Sequence, residues 1–174
     1  MKRAILAIIC SAVLIGAGFA IVQSANGDSD TYRPPTVKKV ENPPTREELI
    51  KLVNVERARK GVESLKVDSR LNKSAQQKAD DMQKYDYYAH QSTKSPNHNG
   101  DSHYWIFDTG ISCVSSGENL DENSTAEAAV AAWNGSPSHY KAMVSKSYNA
   151  TGFGISAKNK YGYYYLVEHF CQYP

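Results

Sequence analysis

Three side chains that can bind ligands or move protons stand in separate parts of the chain, each beside a recognisable local pattern. His90 closes a helical segment, Glu118 stands in the segment 117–120 (Gly-Glu-Asn-Leu), and His139 follows the segment 136–138 (Ser-Pro-Ser). An imidazole serves as a general base or a metal ligand, and a carboxylate does either or orients an imidazole. If the fold brings these segments together, they form a cleft with two imidazoles and one carboxylate.

A purely structural role for the same residues stays open. Glu118 can accept backbone N–H bonds and fasten the 117–119 segment, which we expect to be a loop with Asn119 as its turn residue. His139 follows a good helix-start pattern and can bond to that loop instead of to a ligand. The loop histidines His98 and His103 are expected to be solvated, and His169 is expected to be packed in a strand.

The N-terminus predicts a targeting segment. Residues 4–22 form an uncharged run of 19 residues behind Lys2 and Arg3. A membrane-spanning helix needs about 17–25 apolar residues and a signal-peptide core about 7–15, so the length favours an uncleaved signal anchor over residues 1–23. Small residues at 24–27 leave a cleaved signal peptide open. The basic flank predicts that the rest of the chain lies outside the membrane.

A Pro-rich linker over residues 24–44 separates this segment from a domain over residues 45–174. Its paired prolines favour a semi-rigid extended spacer. Without Lys2 and Arg3 the chain carries 18 basic and 18 acidic residues, which argues against nucleic acid as a partner. Cys113 and Cys171 are expected to pair in an oxidising compartment, the alternative being two separate buried thiols.

The hydrophobic patterns predict three helices followed by a hairpin. A capping box at residues 45–48 starts a helix that ends near Lys60, Asp68 or Ser69 caps a second helix, and Ser124 or Thr125 caps a third. Residues 91–116 are expected to be irregular. Strands are expected at 152–156 and 163–171, the second with large side chains on both faces and therefore covered by helices on each side. Together these elements predict an α+β layered domain.

Six of these patterns occur in an order that resembles the CAP superfamily of cysteine-rich secretory, antigen 5 and pathogenesis-related proteins, and its bacterial SCP-like extracellular branch. The resemblance covers about residues 45–173. The patterns are Asn54-x-x-Arg57, Ala75 to Met82, Ala89-His90, Gly117-Glu118-Asn119, Trp133 with Ser136-Pro137-x-His139, and Gly152-x-Gly154 before a tyrosine-rich strand. The resemblance implies a three-layer α-β-α sandwich.

The resemblance also implies a cleft of two histidines and two glutamates that holds a divalent metal in many members. The matching residues are His90, His139 and Glu118, but the position of the second glutamate carries Ser136. Two imidazoles and one carboxylate can still bind Zn²⁺ with water as the fourth ligand. We therefore expect His90, Glu118, His139 and Ser136 to line a ligand site, with the first three as the metal ligands.

For function, the resemblance implies a membrane-anchored or secreted extracellular binding module for a lipid or sterol, an envelope component or a protein. A metal-dependent hydrolase of peptides or envelope polymers and a purely structural interaction domain are the alternatives. The residues argue against hydrolysis. A serine adjacent to His139 in sequence seldom presents its Oγ to that ring, the Gly-x-Ser-x-Gly elbow is absent, and a zinc hydrolase using Glu118 as base keeps only two ligands.

Overall fold

The computed structural model describes residues 42–92, 94–95 and 103–174. The predicted anchor, most of the linker and His98 lie outside them. Nine elements follow in chain order: helix α1 (Arg46–Arg59), strand β1 (Lys66–Val67), α2 (Ser69–Tyr85), α3 (Tyr104–Asp108), β2 (Ser115–Asn123), α4 (Ala126–Gly135), α5 (Pro137–Met143), β3 (Ala150–Ile155) and β4 (Tyr164–Gln172). In this part of the chain, no helix is both long and apolar enough to cross a membrane.

The predicted helix starts are confirmed by their caps. Thr45 and Glu48 form the reciprocal capping box of α1, with the Thr45 side chain bonded to the Glu48 N–H. Asp68 caps α2 and Thr125 caps α4 through their side-chain oxygens. Helix α2 ends at Asp86, whose φ of 51° is left-handed and turns the chain away before His90.

Four strands form one sheet in the order β1-β3-β4-β2. Strand β1 is parallel to β3, and the other pairs are antiparallel. Helices α1, α4 and α5 cover one face, with a core that includes Val53, Trp133 and Phe170. Helix α2 covers the other, with a core that includes Ala79 and Val167. The α-β-α sandwich is thus the observed architecture.

Helix α2 crosses the sheet in close contact with β3 because two strand positions lack a side chain. A Cβ on Gly152 would lie 2.2 Å from the Asn72 nitrogen, and one on Gly154 would lie 2.1 Å from the Ala75 carbonyl oxygen. Both distances are far inside van der Waals contact, so only glycine fits there. This close packing fixes α2 over the strands that carry the candidate site.

Three local predictions need correction. Residues 117–119 are not a loop but part of β2, whose nine residues are polar apart from Gly117 and Leu120. They show no strand alternation and are extended because each pairs with β4. The segment 91–116, expected to be irregular, contains α3, whose Trp105 and Ile106 are buried. The sheet also has two strands, β1 and β2, beyond the predicted hairpin.

The predicted faces of β4 are confirmed. His169 and Val167 face α2, whereas Glu168 and Phe170 face the opposite core. Cys113 and Cys171 form a disulfide across 58 residues, which attaches the segment before β2 to the end of β4. One end of the β2–β4 ladder that carries Glu118 is therefore closed covalently.

Candidate functional site

The strand register places Glu118 directly opposite His169 on the face of the sheet that α2 covers. The Glu118 side chain is only 3 % exposed, and its two oxygens bind two different imidazoles. Oε1 lies 2.7 Å from His90 Nδ1, and Oε2 lies 3.0 Å from His169 Nε2. A carboxylate accepts hydrogen bonds and cannot donate, so both ring nitrogens carry hydrogens.

These hydrogen bonds determine the ionisation of Glu118 and the tautomer of His90. Burial opposes ionisation of Glu118, but the hydrogen bonds from His169 and then His90 outweigh it and hold the pKa of the carboxyl below its usual value. Because Nδ1 of His90 carries the hydrogen, a neutral His90 ring has its lone pair on Nε2. The His90 side chain is 49 % exposed, so this ring joins the buried carboxylate to the surface.

His169 continues the chain of hydrogen bonds into the core. Its ring is fully buried, and Nδ1 lies 2.7 Å from the Ser74 hydroxyl on α2. With Nε2 donating to Glu118, a neutral His169 accepts from Ser74 at Nδ1. Sequence reasoning assigned His169 to packing alone. Its cross-strand position opposite Glu118 is the signal that was missed, and only the register of β2 on β4 reveals it.

A buried lysine fixes the backbone around His90. The ammonium of Lys78 lies 2.8 Å from the Ala89 carbonyl oxygen and 2.9 Å from that of His90, and it also contacts Ser92 and Tyr87. Burial lowers the pKa of Lys78, opposed by the nearby Glu118 carboxylate. Lys78 therefore stabilises the segment after α2 and supplies a positive charge near Glu118.

His139 approaches the site from the other side, on the first turns of α5. Its ring centroid lies 6.4 Å from that of His90. Pro137 occupies the start of the helix, where its missing N–H costs nothing, and Asn119 of β2 donates to the His139 carbonyl at 3.1 Å. Partial burial, and then the neighbouring His90, lower the pKa of His139, which favours the neutral ring.

Three of the four predicted site residues, His90, Glu118 and His139, lie in one region. The fourth, Ser136, has its side-chain oxygen 3.2 Å from that of Ser138. Within residues 42–92, 94–95 and 103–174, no three His, Cys, Asp or Glu side chains converge as a metal-binding group. Glu118 is not available as a metal ligand in this arrangement, because both of its oxygens accept hydrogen bonds from imidazole rings.

Comparison with known proteins shows the family. The model of the cysteine-rich secretory protein family, CAP, matches residues 50–170, well over half of the chain. The chain belongs to this family. It is 34 % identical over 107 residues to the uncharacterized protein YkwD of Bacillus subtilis, a match that covers 61 % of this chain and 40 % of the relative. The chain thus spans less than half of that relative's length.

Solved structures share the fold at low identity. An extracellular protein with an SCP domain from Bacillus anthracis matches with a TM-score of 0.65 and 21 % identity over 74 % of this chain and 40 % of its own. An outer surface protein from Borrelia burgdorferi matches with a TM-score of 0.65 and 20 % identity over 74 % of this chain and 92 % of its own. These relatives are extracellular or surface proteins, and the present chain has their fold.

Proposed function

We propose that this chain is an extracellular binding module in which His90 and His139 make the ligand contacts. The observation that carries the proposal is the double engagement of Glu118, whose two oxygens bind His90 and His169. A carboxylate held in this way orients an imidazole, as such carboxylates do behind ligand-binding histidines in many proteins. His90 then presents its Nε2 lone pair in a fixed direction beside the neutral ring of His139.

The same geometry disfavours the hydrolase alternative. A general base needs a pKa near the working pH and an oxygen within reach of water. Glu118 is buried, and its two imidazole partners lower its pKa. Residue 136, the position at which the family resemblance placed a second carboxylate, is a serine bonded to Ser138. The geometry therefore gives Glu118 the role of orienting His90 and not that of the base itself.

A divalent metal fits this site only through its imidazoles. In their neutral forms His90 and His139 would offer nitrogen lone pairs of the type that Zn²⁺ prefers, and Glu118 fits as the group that orients His90. A bound Zn²⁺ would accept a donor atom from the ligand. Two protein donors bind such an ion more weakly than three or four, so we propose a metal that the ligand helps to hold.

The location proposed for this module is the outer face of a membrane. The family relatives are extracellular or surface proteins, and the Cys113–Cys171 disulfide is typical of an oxidising compartment. The apolar run at residues 4–22 is proposed as the anchor, or as a cleaved signal. A lipid, an envelope component or a protein is the proposed ligand class. Protease protection of the intact chain in its own membrane tests the anchor and its orientation.

Zinc titration of the full chain, followed by calorimetry, tests the imidazole pair. His90→Ala and His139→Ala should each weaken Zn²⁺ binding at least about tenfold, and Glu118→Gln should weaken it about 10–100-fold by releasing His90. His103→Ala, at the start of α3, is the matched histidine control and should bind as the wild type does. Equal zinc affinity in the wild type and both cleft variants would contradict the proposal, and Glu118-dependent peptide hydrolysis would support the hydrolase.

A further inference from the structure

The opposite face of the same two strands contains a second buried carboxyl group. Glu168 is fully buried on β4, and its neighbours in the sheet are Phe153 on β3 and Asn119 on β2. Directly opposed residues of an antiparallel pair place their side chains on the same face, so Asn119 and Glu168 face each other. Among the described residues, neither Oε2 of Glu168 nor Oδ1 of Asn119 has a hydrogen-bond partner.

Donors for an ionised Glu168 are scarce. Thr151 Oγ1 lies 3.2 Å from Oε1 of Glu168 but 3.0 Å from the carbonyl oxygen of His169, and its one hydrogen is shared between the two acceptors. A buried carboxylate with so few donors is costly, whereas the neutral acid carries its own O–H.

The charged group that acts on Glu168 is Arg57 of α1, and it is occupied elsewhere. Its guanidinium donates to four backbone carbonyls at 2.7–3.1 Å, which belong to Glu63, Met143, Ser145 and Tyr148. A guanidinium has five N–H donors, so four of them are used to hold the chain around α1 and after α5. Arg57 therefore lowers the cost of ionising Glu168 only through its field.

We infer that Glu168 is a neutral carboxylic acid that donates from Oε2 to Oδ1 of Asn119 and thereby positions His139. A proton on Oε2 of Glu168 gives both unpartnered oxygens a partner, because Oε2 then donates and Oδ1 of Asn119 accepts. With its oxygen turned to Glu168, the Asn119 amide has Nδ2 free to hold the His139 carbonyl, where it lies at 3.1 Å. Burial of the carboxyl raises the pKa of Glu168 to about 8 against the lowering effects of the Thr151 hydroxyl, the Arg57 charge and the Asn119 amide, which agrees with a neutral acid at pH 7.

Ionisation of Glu168 should therefore weaken the hydrogen bond that holds the His139 carbonyl. A carboxylate repels the Asn119 oxygen and attracts its Nδ2, and an amide that rotates to bring Nδ2 to Glu168 disturbs the bond from Nδ2 to the His139 carbonyl. The role of Glu168 is positioning and not catalytic, because it acts on His139 through Asn119. Its link to ligand binding rests on the proposed function, whereas its protonation does not.

Isotope-edited infrared spectroscopy and pH-dependent unfolding of the full chain test the inference. At pH 7 the wild type should show the carbonyl band of a buried protonated carboxyl, and Glu168→Gln should lack it. The introduced amide retains an N–H donor for Asn119, so this variant should keep the His139 NMR signals of the wild type, whereas Glu168→Leu should shift them. Glu47→Gln, on the exposed side of α1, is the control and should change neither measurement.

The pH dependence gives the decisive comparison. Between about pH 5 and 8 the folding equilibrium constant of the wild type should fall about tenfold per pH unit relative to that of Glu168→Gln, since only the folded wild type keeps the proton. Parallel pH profiles for the two proteins, or no protonated band in the wild type, would overturn the inference. Zinc affinity enters neither readout, so failure of zinc binding would reject the proposed function and leave this result intact.

Discussion

The buried imidazole of His169 holds the carboxylate of Glu118 from inside the fold, with Nε2 3.0 Å from Oε2. The same carboxylate holds the half-exposed His90 from the other side at 2.7 Å. A residue of the last strand thus determines the orientation of a histidine that follows α2. The site is a property of the β2–β4 register as much as of its exposed side chains.

Replacing His169 should therefore damage stability and the cleft together. His169→Ala leaves a buried carboxylate with one donor fewer, and the free energy of unfolding should fall by about 3 kcal/mol. The His90 ring should also lose its fixed orientation, visible as broadened imidazole NMR signals. Urea unfolding measures the first effect. His103→Ala should leave the His90 signals unchanged, and a loss below about 0.5 kcal/mol for His169→Ala would show that Glu118 does not depend on this bond.

The close contact between α2 and β3 predicts a sharp difference among glycines. Gly154→Ala places a Cβ 2.1 Å from the Ala75 carbonyl oxygen, so α2 must move away from the sheet. We expect a loss of at least about 3 kcal/mol in the free energy of unfolding, or failure to fold. Gly135→Ala, at the end of α4 with open space around its Cβ position, should be neutral or slightly stabilising. Thermal unfolding of the two variants makes the comparison, and similar melting temperatures would contradict the packing described.

Removal of the disulfide should destabilise the chain without removing the site. Cys113 and Cys171 close a loop of 58 residues, for which chain entropy predicts a stabilisation of about 4 kcal/mol. The double variant Cys113→Ala/Cys171→Ala should lose about that amount in urea unfolding. Because the β2–β4 ladder remains, the His90 and His169 NMR signals of the folded variant should match those of the wild type. Altered signals would mean that the disulfide, and not the ladder, sets the register.

The sequence was sufficient for the elements that carry local signals. Thr45, Asp68 and Thr125 cap the helices that they predict, and the alternation in β4 correctly assigns His169 and Glu168 to opposite faces. Strand β2 has no such signal. Its residues are polar apart from Gly117 and Leu120, and it is extended because β4 pairs with it, which is a tertiary effect that local propensity does not encode.

The same limit applies to the site. His90, Glu118 and His139 could be predicted because their local motifs resemble those of a known family. The second partner of Glu118 could not, because His169 lies 51 residues further along the chain and meets Glu118 only when β2 pairs with β4. Ser136 was included by its motif position, and its side chain bonds to Ser138 at 3.2 Å.

Asp121 provides a pH-dependent prediction at the outer strand of the sheet. Its carboxyl is partly buried, and Oδ2 has no hydrogen-bond partner among the described residues. Burial, with a smaller contribution from Glu122, raises the pKa of Asp121 to about 6 from a usual value of 3.8. A pKa raised by folding means that the folded state binds the proton more tightly, so stability present below about pH 4 is lost as the pH rises to about 6.

Asp121→Asn removes this titration while keeping the shape of the side chain. The variant should match the wild type near pH 4 and exceed it by about 1 kcal/mol above pH 6, a value reduced for the solvent exposure of the carboxyl. Urea unfolding at pH 4, 5, 6 and 7 measures the difference. The exposed Glu47→Gln should show a constant offset over the same range. If Asp121→Asn also differs from the wild type by a constant amount, the Asp121 carboxyl is ionised and solvated over the whole range. The burial of Asp121 on the edge strand β2 would then be wrong.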